Sequence, residues 1–297
     1  MAEARLVSWP RICAACFSAM RPRQWVKNLF VFAPLLFTPA ALSLATVALG
    51  LTTFAAFCLA ASALYVCNDI LDREADRNHP AKASRPFAAG TLSLAIGWTL
   101  FAGLALGAGL LAFALPGKAA WVIATYLAAN LLYSLRLKQI AILDVITIAI
   151  GFVMRVVAGA MAVGVAASPW LLECVGLIAL FLAVAKRRDD LMLKMAANHR
   201  PSLDGYNAAY LDMCMGMVLG CLLALYIIYS ASAEVIARIG TDRLYYTVPF
   251  VVAGVMRYLQ LTLVERRSGA PTELVTGDPF LLACIGGWLL VFVLLVY

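Results

Sequence analysis

The sequence predicts an all-α protein that crosses a membrane several times. Apolar residues make up 64% of the chain and charged residues only 13%, and the mean hydropathy is +0.91. Soluble domains are nearer half apolar and a quarter charged. Apolar stretches long enough for membrane helices recur along the whole chain, and the basic residues are concentrated in alternate loops, which is typical of polytopic membrane proteins.

Read in order, the chain contains nine apolar segments. A polar arm at residues 1–19 precedes a short first segment, and long polar loops at 68–90 and 186–206 follow the second and the sixth segments. The nine segments lie at 26–40, 45–67, 91–113, 119–135, 140–163, 169–185, 208–231, 244–264 and 279–297. The other loops are short, so residues 20–297 are predicted to form a single transmembrane domain.

Lysine and arginine are divided unequally between the two sides of this arrangement. The loops on one side hold eighteen basic residues and those on the other side hold three. Because basic loops remain in the cytoplasm, the sequence predicts a cell-membrane protein with a cytoplasmic N-terminus and the C-terminus outside, which requires an odd number of spans. Topology accounts for the net charge of +7, and no nucleic-acid partner is expected.

The cytoplasmic loop after the second segment contains a set of carboxylates with helical spacing. Residues 68–76 read NDILDREAD, and on a helix Asp69, Asp72 and Asp76 would lie within about 60° of each other. Three carboxylates on one face repel each other unless a cation bridges them. Oxygen ligands without nearby Cys or His favour Mg²⁺, which shares its coordination shell with substrate phosphates.

A densely cationic stretch follows the acids and contains Arg77, Lys82 and Arg85. Carboxylates for a metal beside cations for phosphate are what diphosphate chemistry requires. The alternative interpretation is a solvated acidic helix end, which the neighbouring cations disfavour. The loop is therefore predicted to bind a magnesium-bound diphosphate.

The loop resembles the first aspartate-rich motif of the UbiA superfamily of intramembrane transferases, NDxxDxxxD followed by a lysine and Arg-Pro. Further matches resemble one branch of that superfamily, the decaprenyl-phosphate phosphoribosyltransferases, and together they span residues 20–297. These matches lie at 21–28, 133–138, 143–144, 151–159, 186–187, 200–206 and 271–278.

The resemblance implies a nine-helix UbiA-type bundle whose active-site cavity faces the cytoplasm. It implies transfer of 5-phosphoribose from phosphoribosyl pyrophosphate to a polyprenyl phosphate of the decaprenyl type, with Mg²⁺ as cofactor, to make a lipid-linked precursor of cell-wall arabinan. The catalytic residues predicted are Asp69, Asp72, Asp76, Lys138 and Arg155, and the three aspartates are the metal ligands. The substrate-binding residues predicted are Lys27, Asn28, Asn68, Arg77, Lys82, Arg85, Tyr133, Asp144, Lys186, Arg187 and Asp190. Whether the chain forms a homo-oligomer stays open.

Residues 186–190, which read KRRDD, separate this branch from the others. Prenyltransferases of the superfamily carry a second acidic motif here, roughly DxxxD, whereas the phosphoribosyl branch has Lys-Arg-x-x-Glu, and Asp190 stands at the position of that Glu. A donor with a second phosphate needs the additional cations. We expect Lys186 and Arg187 to bind the ribose 5-phosphate, the cations beside the acids to bind pyrophosphate, and Lys27 to bind the lipid phosphate.

Two residues of the fifth segment carry charge. Arg155 lies well inside the segment, where a charge costs roughly 2.5–3.5 kcal/mol. It either pairs with an acid of another helix or forms a cavity wall that binds phosphate, and both interpretations stay open. Asp144 lies near the cytoplasmic end and either contacts a ribose hydroxyl or orients another residue.

Two other functions stay open. A UbiA prenyltransferase acting on an aromatic acceptor would have the same first motif, and the missing second DxxxD disfavours it. A transporter of anionic lipids would be expected to place polar groups at the bilayer midplane, often in inverted repeats. The charges of this chain are concentrated at one face, which favours an enzyme.

Overall fold

The computed structural model describes residues 9–78, 82–192, 201–265 and 271–297, and throughout these ranges the regular elements are helices. The α-helices are α1 (Trp9–Ala19), α2 (Ala33–Leu36), α3 (Leu44–Leu71), α4 (Arg73–Arg77), α5 (Leu94–Phe113), α6 (Ala119–Leu135), α7 (Leu143–Val163), α8 (Pro169–Met192), α9 (Ala208–Ala231), α10 (Ala233–Ile239), α11 (Val248–Leu259), α12 (Pro271–Gly277) and α13 (Pro279–Val296). The 3-10 helices are Pro22–Phe32, Pro39–Ala41, Leu137–Gln139, Pro201–Gly205 and Leu244–Thr247, and Gln260–Val264 is π-helical.

Seven helical stretches of the described chain are long and apolar enough to cross a membrane. They are Leu44–Leu71, Leu94–Phe113, Leu143–Val163, Pro169–Met192, Ala208–Ala231, Leu244–Val264 and Pro279–Val296. Large apolar side chains cover their outer surfaces, for example Phe113 and Met213, which are 88% and 74% exposed. Water would solvate such a surface poorly, and lipid solvates it well. The predicted all-α, multi-pass membrane fold is confirmed.

The first predicted segment, 26–40, is not one long helix. It consists of the end of the 3-10 helix Pro22–Phe32, the short helix α2 and the turn Pro39–Ala41. Prolines 34 and 39 contribute to the interruption, because each lacks a backbone N–H. The fourth segment forms α6, which is apolar but has only 17 residues. A count of nine membrane helices is therefore not confirmed by length and composition.

The 3-10 helix Pro22–Phe32 packs tightly against α3 and α7. A Cβ atom at Gly159 of α7 would lie only 2.0 Å from the carbonyl oxygen of Val31, so glycine is needed for this approach. Asn28 and Val31 are both buried there. This contact places Lys27 and Asn28 beside the centre of the bundle.

Helix α7 joins two halves of the core. On one side, Phe57 and Ile123 pack with Ala158 of α7, and on the other side Leu211 and Leu261 pack with Val145 of α7. All are buried. Because α7 contributes to both halves, its residues lie within reach of the helices on either side.

The polar residues gather where several helices end. Lys138 after α6 contacts Asp72 after α3, and Arg187 near the end of α8 contacts Asp144 at the start of α7. Asp69, near the end of α3, lies there too. We call this end of the bundle the polar end. Helix α1 also lies near it and packs on α3 and α5.

Candidate active site

The aspartate-rich motif lies at a break between two helices. Helix α3 ends at Leu71, Asp72 lies in a turn, and α4 begins at Arg73. Two backbone hydrogen bonds of 2.8 Å, from Asp72 N to Asn68 O and from Asp76 N to Asp72 O, maintain a nearly helical path. The prediction of a single continuous helix through the three aspartates is wrong, because Asp72 leaves helical geometry at φ −91° and ψ 5°.

Two of the three aspartates share one cation. The Arg85 Nη1 atom donates to Asp69 Oδ1 at 3.2 Å and to Asp76 Oδ2 at 2.6 Å. Both carboxylates are almost completely buried, with 2% and 3% exposure for Asp69 and Asp76. Lys82 Nζ lies 3.9 Å from Asp76. The structure therefore brings four of the predicted site residues together here.

Arg21 is a further cation of this cluster, and it was not among the predicted site residues. Its Nη2 atom donates to Asp69 Oδ1 at 2.5 Å, and its guanidinium stacks 4.9 Å from the centre of the Tyr65 ring. The backbone at Arg21 is left-handed, with φ 52° and ψ 61°. The start of the 21–28 motif marks this residue in the sequence, but the left-handed turn that directs it to Asp69 has no sequence signal in a non-glycine residue.

Asp72 pairs with a different cation. Lys138 Nζ donates to both of its carboxylate oxygens, at 2.8 and 2.9 Å. The lysine lies in the short 3-10 helix Leu137–Gln139, which joins α6 to α7. The structure thus brings Lys138, which was predicted as a catalytic residue, to the acidic motif, and Asp72 is the most exposed of the three acids.

Arg77 points elsewhere. Its Nε atom donates to the carbonyl oxygen of Ala88 at 3.1 Å, and its Nη1 atom pairs with Glu74 at 3.2 Å. These contacts hold the loop after α4. Asn68, also predicted for substrate binding, is half-buried one residue before Asp69.

The second predicted cation pair divides into a buried and an exposed residue. Arg187 is 1% exposed, and donates to Asp144 Oδ2 and to Asp190 Oδ2, each at 2.6 Å. Lys186 is exposed. Tyr133 of α6 is half-buried.

Asp144 is completely buried and surrounded by donors. Besides Arg187, Tyr206 Oη donates to Asp144 Oδ1 at 2.7 Å and Ser202 Oγ to Oδ2 at 3.1 Å. Burial and the hydrogen bond to Asp144 raise the pKa of Tyr206. Sequence reasoning did not assign a role to Tyr206 or Ser202, because both lie in a loop far from Asp144 in the chain.

Arg155 is buried among neutral groups. Its Nε atom donates to Asn28 Oδ1 at 2.8 Å, Nη1 to Gly151 O at 2.7 Å and Nη2 to Tyr126 Oη at 2.8 Å. The ring of Phe152 lies 5.3 Å away. Within the described ranges no carboxylate pairs with Arg155, so the ion-pair interpretation finds no partner there.

Lys27 is the point at which several cations influence each other. Lys27 is half-buried, and the charges of Lys186, Arg155 and Arg21 act on it. An amine surrounded by positive charge is stabilised by a bound anion. This arrangement is suited to a phosphate at the inner edge of the polar end.

The donor set of the acidic motif consists of oxygens, which suits Mg²⁺. Asp69 and Asp76 already share one cationic group, Arg85, whereas Asp72 faces Lys138. No three His, Cys, Asp or Glu side chains in the described part of the chain are arranged to hold a metal ion by themselves. The side chains present thus offer the right kind of ligand atom for Mg²⁺ but too few of them. This is typical of a magnesium site that substrate phosphates complete.

Comparisons with known proteins agree with these observations. The profile of the UbiA prenyltransferase family matches residues 28–285. The decaprenyl-phosphate phosphoribosyltransferase of Mycolicibacterium smegmatis is 33% identical over 291 residues, which cover 94% of this chain and 91% of the relative. The protein of the same name from Corynebacterium glutamicum is 34% identical over 289 residues, covering 94% and 86%.

A solved structure shares the fold. A UbiA homolog from Archaeoglobus fulgidus, bound to DMAPP and Mg²⁺, superposes with a TM-score of 0.69 at 17% identity, covering 95% of this chain and 98% of that one. At that identity the likeness concerns the arrangement of helices alone.

Proposed function

Because the chain belongs to the UbiA prenyltransferase family, we propose that it is a membrane transferase that moves 5-phosphoribose from phosphoribosyl pyrophosphate to a polyprenyl phosphate and releases pyrophosphate. The names of relatives of nearly the same length support this choice. The observation that carries it is the second cluster at the polar end, where Lys186 and Arg187 stand in place of a second acidic motif.

The leaving pyrophosphate is assigned to the aspartate-rich motif. Asp69, Asp72 and Asp76 would hold Mg²⁺, which supplies positive charge for the leaving pyrophosphate. Arg21 and Arg85 lie beside Asp69 and supply hydrogen-bond donors for phosphate oxygens. Both groups would stabilise negative charge that develops as the glycosidic bond breaks.

The ribose 5-phosphate is assigned to Lys186. Arg187 is buried and already forms ion pairs with Asp144 and Asp190, so its role is to stabilise this part of α8 and not to contact the phosphate. Lys186 is exposed on the same helix turn and can contact a phosphate. Asp190 holds Arg187, which suits a carboxylate one carbon shorter than the glutamate of the branch.

The lipid phosphate is assigned to Lys27, and Arg155 would strengthen the positive potential there. A polyprenyl phosphate is a nucleophile without loss of a proton, so this reaction needs no strong base. An aromatic acceptor, in contrast, must lose a proton. We place the polar end in the cytoplasm, because the basic loops flank it.

The donor identity can be tested with purified protein in lipid nanodiscs. Labelled phosphoribosyl pyrophosphate with a polyprenyl phosphate and Mg²⁺ should give a labelled lipid, and EDTA should abolish it. Geranyl diphosphate with an aromatic acceptor should give no product. Turnover of the prenyl diphosphate alone would contradict the proposal and favour an aromatic prenyltransferase.

The assignment of Lys186 has its own test. Lys186→Ala should strongly lower kcat/KM for phosphoribosyl pyrophosphate, but it should change kcat/KM little for a donor analogue that lacks the 5-phosphate. Arg85→Ala should lower kcat/KM for both donors to the same extent. The comparison uses kcat/KM for the two donors. Equal penalties from Lys186→Ala would instead assign that lysine to the pyrophosphate.

A further inference from the structure

The connection between α6 and α7 contains a strained turn. Ile142 has φ 72° and ψ −51°, and Leu143 N donates to Ala141 O at 2.9 Å, which defines a γ-turn of the rare kind. A β-branched residue at positive φ is an outlier. Such a conformation persists only where the surrounding structure holds it.

One side chain holds this turn. The backbone N–H of Ile142 donates to Tyr206 Oη at 2.5 Å, and the same hydroxyl donates to Asp144 Oδ1 at 2.7 Å. Asp144 also accepts from Arg187 and Ser202. Burial and the hydrogen bond to Asp144 raise the pKa of Tyr206, so the hydroxyl keeps the proton that it donates to Asp144.

The segment that carries Tyr206 fits closely against the turn. A Cβ atom at Gly205 would lie 2.5 Å from Ala141 Cβ, so this position must be glycine for the two segments to touch. The contact brings the 3-10 helix Pro201–Gly205 against residues 141–142. The close contact of the preceding residue, Gly205, with Ala141 thus holds Tyr206 near the turn.

The turn separates two groups of basic residues at the polar end. Four residues before it, Lys138 reaches Asp72 of the aspartate-rich motif. On its other side, Asp144 fixes Arg187 beside Lys186. A shift of the backbone at Ile142 would therefore change the distance between Lys138 and the pair Lys186 and Arg187.

From these contacts we infer that Tyr206 is a positioning residue: its hydroxyl fixes the Ile142 turn on Asp144 and thereby sets the spacing between Lys138 and the Arg187 side of the site. Tyr206 itself touches no substrate in this scheme. The inference rests on the proposed function only for its kinetic consequence. The structural part concerns residues 136–144 and can be measured without any substrate.

The matched pair of variants is Tyr206→Phe and Tyr210→Phe. The two rings are stacked 6.0 Å apart, but Tyr210 is 41% exposed and has no role in the turn. Hydrogen exchange of the amides in 136–144, measured by mass spectrometry, should be about ten-fold faster in Tyr206→Phe and unchanged in Tyr210→Phe. Unchanged exchange in Tyr206→Phe would overturn the inference.

Glycine at position 142 supplies the decisive control. Glycine adopts positive φ without strain, so Ile142→Gly should restore slow exchange when combined with Tyr206→Phe. If Tyr206→Phe alone does not fold, this double variant should fold. A double variant that remains as fast-exchanging as Tyr206→Phe would show that the hydroxyl does not act through the turn, and would overturn the inference.

The kinetic readout separates this inference from the proposed function. With phosphoribosyl pyrophosphate as donor, Tyr206→Phe should lower kcat/KM about ten-fold or more, because small displacements of positioned groups are costly, and Ile142→Gly should recover most of it. Tyr210→Phe should stay close to the unsubstituted protein. If the unsubstituted protein does not use this donor, the proposed function fails while the exchange result still decides the role of Tyr206. If turnover occurs and Tyr206→Phe leaves kcat/KM unchanged, the positioning role is overturned.

Discussion

At the scale of single residues, the cations near Lys27 are the most informative. Arg155 uses its guanidinium to bind Asn28, Gly151 and Tyr126, all of which are neutral. Its charge is therefore not cancelled by a carboxylate within the described chain, and it acts on Lys27 together with Arg21 and Lys186. Positive charge that neighbouring acids do not neutralise is available to an anionic ligand.

Acceptor binding should depend on the positive charge of Lys27. Lys27→Gln removes that charge and keeps a polar side chain at this position. Because a cation strengthens hydrogen bonds to phosphate oxygens, the affinity of Lys27→Gln for a short-chain polyprenyl phosphate should be about ten-fold lower, as measured by a binding titration at constant pH.

Lys27→Arg is the control, because arginine keeps the positive charge. This variant should bind the acceptor with nearly unchanged affinity. Lys118→Ala, which alters a basic residue of another loop, should also leave the affinity unchanged. A loss of affinity in Lys27→Arg equal to that in Lys27→Gln would contradict the assignment.

Arg155 should resist replacement even by lysine. A lysine has a point charge and no planar fork, so Asn28 and Tyr126 would lose partners inside the bundle. Arg155→Lys should destabilise the protein by roughly 2 kcal/mol, seen as a lower Tm in detergent. Arg238→Lys, which affects an exposed ion pair with Glu234, should leave Tm unchanged. An unchanged Tm in Arg155→Lys would contradict the structural role of the planar guanidinium.

At the scale of elements, the ion pairs at the end of α3 predict that metal binding and phosphate binding are coupled. Asp69 pairs with Arg21 and Arg85, and Asp72 pairs with Lys138. A metal that bound these acids alone would leave the partly buried cations Arg21, Arg85 and Lys138 without their carboxylate partners, which is costly. Mg²⁺ and pyrophosphate should therefore bind more tightly together than either does alone.

Arg85→Gln should change the two affinities in opposite directions. Removing the cation between Asp69 and Asp76 should strengthen binding of Mg²⁺ alone by roughly five-fold, while pyrophosphate binding with Mg²⁺ should weaken. Calorimetric titration of each ligand measures both changes. Arg73→Gln, which removes an exposed partner of Glu74, should change neither, and weaker binding of Mg²⁺ alone in Arg85→Gln would contradict the coupling.

The same elements explain what the sequence could predict. Asp69, Asp76 and Arg85 were predicted to cooperate because helical spacing and charge are local patterns. The break at Asp72 and the left-handed Arg21 depend on tertiary contacts, and a single sequence has no signal for positive φ in such residues. Tyr206 was given no role, because its partner Asp144 is 62 residues away in the chain.

At the scale of the whole molecule, contacts between helix ends bear on the number of membrane crossings. Arg21 lies at the polar end, on Asp69, and Tyr297 at the C-terminus donates to Leu36 O at 3.2 Å, shortly before α3 begins. Since α3 runs toward the polar end, Leu36 and Tyr297 lie at the opposite end. We therefore propose that residues 22–43 traverse the bundle, although they contain no single long helix.

We propose that helix α6 traverses it as well, despite having only 17 residues. Helix α5 leaves the polar end after the loop that carries Arg85, and Lys138 directly after α6 is back on Asp72. If residues 22–43 and α6 cross in addition to the seven long stretches, the two termini would lie on opposite sides. This agrees with the odd number of crossings that the basic loops require.

The location of the C-terminus is the prediction that tests this arrangement. Alkaline phosphatase fused after Tyr297 should be active, because it is exported, and a green fluorescent protein fused there should be dark. Fusions after Lys138 should give the opposite result, since that residue belongs to the polar end. If only one of α6 and residues 22–43 crossed the membrane, there would be eight crossings with the seven long stretches, and the C-terminal phosphatase would be inactive. A fluorescent C-terminal fusion would thus contradict the combination of nine crossings with the orientation inferred from the basic residues.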